Sequence, residues 1–158
     1  MPGIGVAEQR AWESFLDAAL RVSGSLNRDL SEGHQLSLAD VRLLDILRGS
    51  ETGSARMGDL AEQLVSLPSR VTRQIRRLEE AGLVRREASP EDGRGVLAAI
   101  TDEGRAVLTA AIVTYAEAVR RRFLRPLTRP QVTAMGENCR RISAALRTTS
   151  PEAKFGRT

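Results

Sequence analysis

The sequence predicts a mainly α-helical fold with one small β-hairpin. Three observations lead there. Apolar residues recur at threes and fours over most of the chain, the spacing of amphipathic helices. A single pair of short apolar runs flanks a polar, glycine-bearing tip, which reads as a hairpin. The first and last helices are longer than the small unit between them can bury.

The first helix covers Val6 to Leu30, with apolar residues at Trp12, Phe15, Leu16, Ala19, Leu20, Val22, Leu26 and Leu30. Ser31-Glu32-Gly33 marks its end. Ser37 offers a capping hydroxyl with Asp40 three residues on, ahead of Val41, Leu43, Leu44, Ile46 and Leu47. The stretch from Gly49 to Gly53 breaks this second helix, and a short third one covers Gly58 to Leu64.

Ser66 is predicted to cap the fourth helix, whose first turn tolerates Pro68 because that nitrogen has no intrahelical partner to lose. The helix covers residues 67–81, and Gly82 suits a left-handed C-terminal cap. Leu83 to Ala88 and Val96 to Ile100 read as strands around the tip Ser89-Pro90-Glu91-Asp92-Gly93-Arg94-Gly95.

Thr101 caps a fifth helix with Asp102 and Glu103 in its first turn, favourable at the positive end of the helix dipole, and this helix is predicted to run to Arg125 before Pro126. Thr128-Arg129-Pro130-Gln131 is a capping box that opens the last helix through Val132, Met135, Cys139, Ile142 and Leu146. Cys139 falls at an apolar position and reads as a buried small hydrophobe. Residues 148–158 carry no periodicity and read as a frayed, disordered tail. The order of elements is that of a winged helix-turn-helix over residues 36–100, flanked by helical regions at 6–35 and 101–147.

Composition narrows the function. One cysteine in 158 residues cannot form an internal disulfide or a Cys-rich metal site, and the lone His34 removes paired-histidine metal and most acid–base sites. No cofactor is called for and no enzyme is expected, since a glycine-rich phosphate loop after a strand is also missing. The most apolar window, Ala106 to Ala118, is interrupted by Thr109, Thr114, Tyr115 and Glu117 and falls short of a membrane span. A reducing, cytoplasmic setting without membrane contact is expected.

The net charge is +4, and arginine supplies 23 of the 24 basic residues. Arginine forks suit phosphates and guanine edges, and a GC-rich genome produces the same bias. Residues 1–66 are net −4, residues 67–102 net +1 and residues 103–158 net +7, so bulk charge does not mark a binding surface. Arrangement does. On the fourth helix Val71, Ile75 and Leu78 share one arc, with Ser69, Arg73, Arg76 and Glu80 opposite, Arg70 and Arg77 on one flank and Thr72 on the other. Four arginines precede Glu79 and Glu80, the polarity of a helix whose N-terminal half faces bases in a major groove. At the hairpin tip Arg94 can enter a minor groove, with Asp92 holding its guanidinium and Gly93 allowing a tight turn.

These residues resemble the multiple antibiotic resistance regulator (MarR) family. The matching run comprises Asp59-Leu60-Ala61-Glu62-Gln63-Leu64, Pro68 to Glu79, Gly82-Leu83-Val84-Arg85-Arg86, Pro90 to Arg94, Leu97 to Thr101 and Gly104. The resemblance covers residues 6–147. It implies a homodimer held by the terminal helices of 6–35 and 101–147, with two winged lobes on a palindromic double-stranded DNA operator. Residues 67–81 would be the recognition helix and 83–100 the wing, with Ser66, Ser69, Arg70, Thr72, Arg73, Arg76, Arg77, Asp92, Gly93 and Arg94 as the DNA-binding set. The resemblance also implies a repressor released by a small aromatic or anionic ligand, held between the dimerisation helices and the DNA lobe near Trp12, Phe15, His34, Arg42 and Leu43. Simple core packing is the alternative for Trp12 and Phe15. Peroxide-sensing members carry a reactive cysteine in the N-terminal helices, where this chain has none. The other reading is a winged-helix protein-interaction module that docks an acidic partner and does not distinguish promoter DNA from a scrambled duplex.

Overall fold

The computed structural model describes residues 1–88 and 95–149, with side chains through Arg147. The chain packs as two units, Met1–Val119 and the segment from Arg120 onward.

In the first unit, α1 spans Val6–His34. It continues four residues past the expected stop, because Ser31, Glu32 and Gly33 all stay helical and Gln35 takes the left-handed turn at φ 56°. Helix α2 spans Leu38–Gly49 and is capped as expected: the Ser37 N–H donates to the Asp40 carboxylate at 2.7 Å, and the Asp40 N–H reaches the Ser37 hydroxyl at 3.2 Å. Asn27 of α1 accepts from the Leu38 N–H at 2.7 Å, so a side chain of one helix satisfies an orphan amide of the next.

Strand β1, Ser54–Arg56, was not anticipated. It is three residues long and holds no β-branched or aromatic residue, so local preference carries no strand signal. It is followed by α3 at Met57–Gln63, α4 at Pro68–Glu80, β2 at Val84–Ala88, β3 at Val96–Ile100 and α5 at Asp102–Val119. The hairpin is as predicted, with Val84 opposite Ile100 and Ala88 opposite Val96. Strand β1 adds to the far edge of β3, Ser54 opposite Ala99, giving an antiparallel sheet in the order β1-β3-β2.

The core joins α2, α3, α4, the sheet and α5 through Leu43, Leu44, Leu47, Leu60, Val71, Ile75, Leu78, Ala98, Ile100 and Leu108. Gly82 turns at φ 73°, with the Leu83 N–H donating to the Leu78 carbonyl and the Gly82 N–H to the Glu79 carbonyl. That is the left-handed cap expected there. Thr101 joins the end of the sheet to α5: its hydroxyl donates to the Gly82 carbonyl at 2.7 Å and accepts from the Gly104 N–H at 3.0 Å. A Cβ on Gly104 would collide with the Leu83 carbonyl oxygen, so only glycine lets the helix approach this closely.

In the second unit, Arg120–Leu124 form a π-helical turn, where one continuous α-helix to Arg125 was expected. The Arg125 N–H donates five residues back to the Arg120 carbonyl, and Pro126, with no N–H to give, cannot extend the ladder. Gln131 accepts from the Thr128 N–H at 2.8 Å, as the capping box predicts, and α6 runs Arg129–Thr149. Its helix carries two residues past the predicted limit of Arg147, while residues 150–158 lie outside the described ones. Cys139 is exposed, which corrects its expected burial. The periodicity of α6 is that of a buried stripe, but Met135, Ile142 and Leu146 are exposed in the single chain along with the cysteine. Among the described residues no helix is long and apolar enough to cross a membrane.

Candidate nucleic-acid interface

Helix α4 is built from two opposed faces. Val71, Ile75 and Leu78 are wholly buried, while Ser69, Arg70, Thr72, Arg73, Arg76 and Arg77 are exposed. Pro68 occupies the first helical position, where its fixed φ helps and its missing N–H costs nothing. The exposed face therefore carries hydrogen-bond donors on a helix anchored from behind.

The arginines differ in what they meet. Arg70 and Arg73 have no ion-pair partner among the described residues. Arg76 lies 3.1 Å from Glu80, a pair in which both side chains are largely exposed; such i,i+4 pairs are worth about 0.3–0.5 kcal/mol and break readily for a phosphate or a base. The Thr72 hydroxyl donates to the Pro68 carbonyl at 2.9 Å. Arg77, expected at the margin of the same face, instead pairs with Asp40.

Asp40 is fully buried and ties the lobe together. One carboxylate oxygen accepts from the Ser37 N–H and hydroxyl at 2.7 and 2.6 Å, and the other accepts from Gln74 at 2.9 Å and faces Arg77. Burial alone would raise its pKa, but the bonds from Ser37, Arg77 and Gln74 outweigh it and hold the carboxyl below the ordinary range. This network fixes α4 against the N-terminus of α2, and so sets the direction in which the arginine face points. From sequence, Asp40 is legible as a cap alone. Its spacing from Ser37 carried that much, and the link to residues 34 and 37 positions later has no local signature.

Ser66 does not cap α4. Proline's preference for the first helical position places the start at Pro68 and the cap at Leu67, which makes no side-chain bond. Ser66 is half-buried and its N–H closes α3 on the Ala61 carbonyl at 2.9 Å. Between them Val65 sits at φ 50°, a left-handed conformation that costs a β-branched residue about 1–2 kcal/mol.

The wing is braced by Glu79, which accepts from the Arg86 N–H and lies 3.2 Å from its guanidinium. The tip residues Asp92, Gly93 and Arg94 lie outside the described residues.

The five residues expected around a ligand have different surroundings within the single chain. Leu43 is core, with no exposure, and Arg42 is exposed. Trp12 and Phe15 pair with each other at 6.0 Å between ring centroids and stay about half exposed, so neither core packing nor a pocket encloses them in the single chain. His34 is hydrogen-bonded to Thr114 at 2.8 Å and lines a cleft of about 370 Å³ with Leu36, Arg77, Glu103 and Val107. Among the described residues no His, Cys, Asp and Glu cluster could hold a metal ion.

The sequence profile of the MarR family matches residues 36–96. Among solved structures, the MarR family transcriptional regulator Sco3205 of Streptomyces coelicolor, in complex with DNA, is 32% identical at TM-score 0.91, over 97% of this chain and 96% of that one. The regulator AbsC of the same organism is 31% identical at TM-score 0.87, over 94% of this chain and all of that one. Its regulator Sco5413 is 26% identical at TM-score 0.80, over 93% and 100%. Comparison with curated protein sequences gives no match.

Proposed function

The chain belongs to the MarR family of transcriptional regulators, and from that premise we propose that it is a cytoplasmic homodimeric repressor that binds a palindromic operator and releases it on taking a small ligand. The observation that carries the reading is the face of α4, where Ser69, Arg70, Thr72, Arg73 and Arg76 stand exposed on a helix whose other side is sealed into the core. Arg73 and Arg76 address base edges with Ser69 and Thr72, Arg70 addresses phosphate, and Arg94 addresses the minor groove. Arg77 acts by holding the helix on Asp40, and Ser66 by closing the turn before it.

Dimerisation is supported by apolar residues that one chain leaves in water: Trp12, Phe15, Leu16 and Leu20 on α1, and Met135, Ile142 and Leu146 on α6. For the effector, the cleft beside His34 and Arg77 supplies cationic and hydrogen-bonding groups next to the residue that holds α4, so a small anion or phenolate bound there would disturb the recognition helix.

The test is fluorescence anisotropy on a duplex selected from random DNA. Affinity for the selected palindrome is expected in the range of about 10⁻⁸ to 10⁻¹¹ M, falling steeply with salt as condensed counterions are released. Equal affinity for a scrambled duplex would return the reading of a protein-interaction module.

A further inference from the structure

We propose that Val65 and Leu67 form an apolar edge that reads thymine 5-methyl groups in the operator. The inference rests on the DNA-binding reading above and adds to it what the N-terminal end of α4 recognises.

Two neighbouring positions depart from what local physics favours. Val65 adopts φ 50° and is 90% exposed. The turn it makes closes α3, with the Val65 N–H on the Glu62 carbonyl and the Ser66 N–H on the Ala61 carbonyl; glycine or asparagine makes that turn without strain. Leu67 holds the N-cap of α4 at 62% exposure, with no hydrogen bond from its side chain. Serine, threonine or aspartate would stabilise the helix there. Both residues present branched apolar side chains that are mostly exposed, at positions where another residue type would stabilise the fold, the pattern expected where a binding surface overrides local preference.

Their place in the fold says what they meet. They border a shallow open groove with Ala61, Pro68 and Arg70, and Ser69 and Arg70 begin the exposed polar face of α4 just after Leu67. The first residues of a recognition helix are those that approach base edges. In the major groove thymine alone offers a methyl group, which pairs with apolar side chains while arginine pairs with guanine. An apolar edge continuous with an arginine face therefore reads thymines beside guanines in the half-site.

The experiment replaces each thymine of the selected operator, one at a time, by deoxyuridine, which removes only the methyl group. Wild-type protein is expected to lose about fourfold in affinity at one or more positions in each half-site, the worth of one buried methyl. Leu67→Ser and Val65→Asn are expected to be indifferent at those positions, and both should melt no lower than wild type, since they restore the favoured residue. Indifference of the wild type to every methyl, or full methyl dependence in both variants, overturns the inference while leaving operator binding intact. Failure of the wild type to prefer the operator over a scrambled duplex overturns the proposed function and this inference together. Methyl dependence that vanishes with the variants supports it.

Discussion

Leu43, Leu44, Leu47, Leu60, Ile75 and Leu78 are sealed inside the winged lobe, whereas Leu16 and Leu20, on the outer half of α1, are 40% and 64% exposed. The residue types match and the helical periodicities are alike. What differs is whether the chain supplies a second layer: α2, α3, α4 and the sheet enclose one another, while residues 6–20 of α1 extend for about 22 Å with no buried residue. Amphipathic spacing reports that a face will be covered and is silent on what covers it. The lobe is finished by its own chain, and the outer part of α1 is not covered by it.

The most forceful way to break this comparison is to place charge on the unfinished face. Leu20→Asp is expected to weaken self-association by on the order of 100-fold, because a carboxylate must lose its water without a partner. Sedimentation should then show monomer, with the thermal unfolding of the lobe largely retained. Dimer persisting at wild-type affinity would remove α1 from the interface.

Within the finished lobe the largest expected effect belongs to Asp40. Asp40→Ala removes an acceptor for Ser37, Gln74 and Arg77 at once and should cost about 2–3 kcal/mol in denaturant unfolding. The same carboxyl sets a pH dependence. Its folded pKa lies below its unfolded value, so its stabilisation is complete above the unfolded pKa of about 4 and is lost as pH falls through the folded one. A wild-type acid limb that flattens in the variant is the expected result.

Gly104→Ala comes next. The added methyl meets the Leu83 carbonyl oxygen, and the shift of α5 away from β2 should cost about 2 kcal/mol, or roughly 4–8 °C in Tm. The smallest effect is expected at Glu80→Ala, which frees Arg76: less than about 0.5 kcal/mol in stability, with operator affinity unchanged or slightly tighter.

Where one residue carried the information, the sequence was readable. Ser37, Gly82, Thr101 and Thr128 each marked a boundary through a bond that the structure contains. The buried and exposed faces of α4 followed from helical geometry alone. Features made by distant residues were not legible. Strand β1 exists because β3 offers it an edge, and Arg77 turns to Asp40 because folding brings α4 onto α2. A serine two residues before a proline has the signature of a cap, yet proline's own preference for the first helical position puts the cap at Leu67. The exposure of Cys139 and of the Trp12–Phe15 pair was not legible for a common reason: helical periodicity marks an apolar face and does not say whether the same chain covers it.

The central claim is that the arginine face of α4 gives sequence-specific recognition from a rigidly held helix. It is tested most directly by comparing wild type and Arg73→Ala on the selected operator and on a scrambled duplex, each across a salt series. The account predicts a loss of about 1–3 kcal/mol on the operator, little change on the scrambled duplex and an unaltered Tm. An equal loss on both duplexes would make Arg73 a phosphate contact, and no loss on either would contradict the assignment of α4 as the recognition helix.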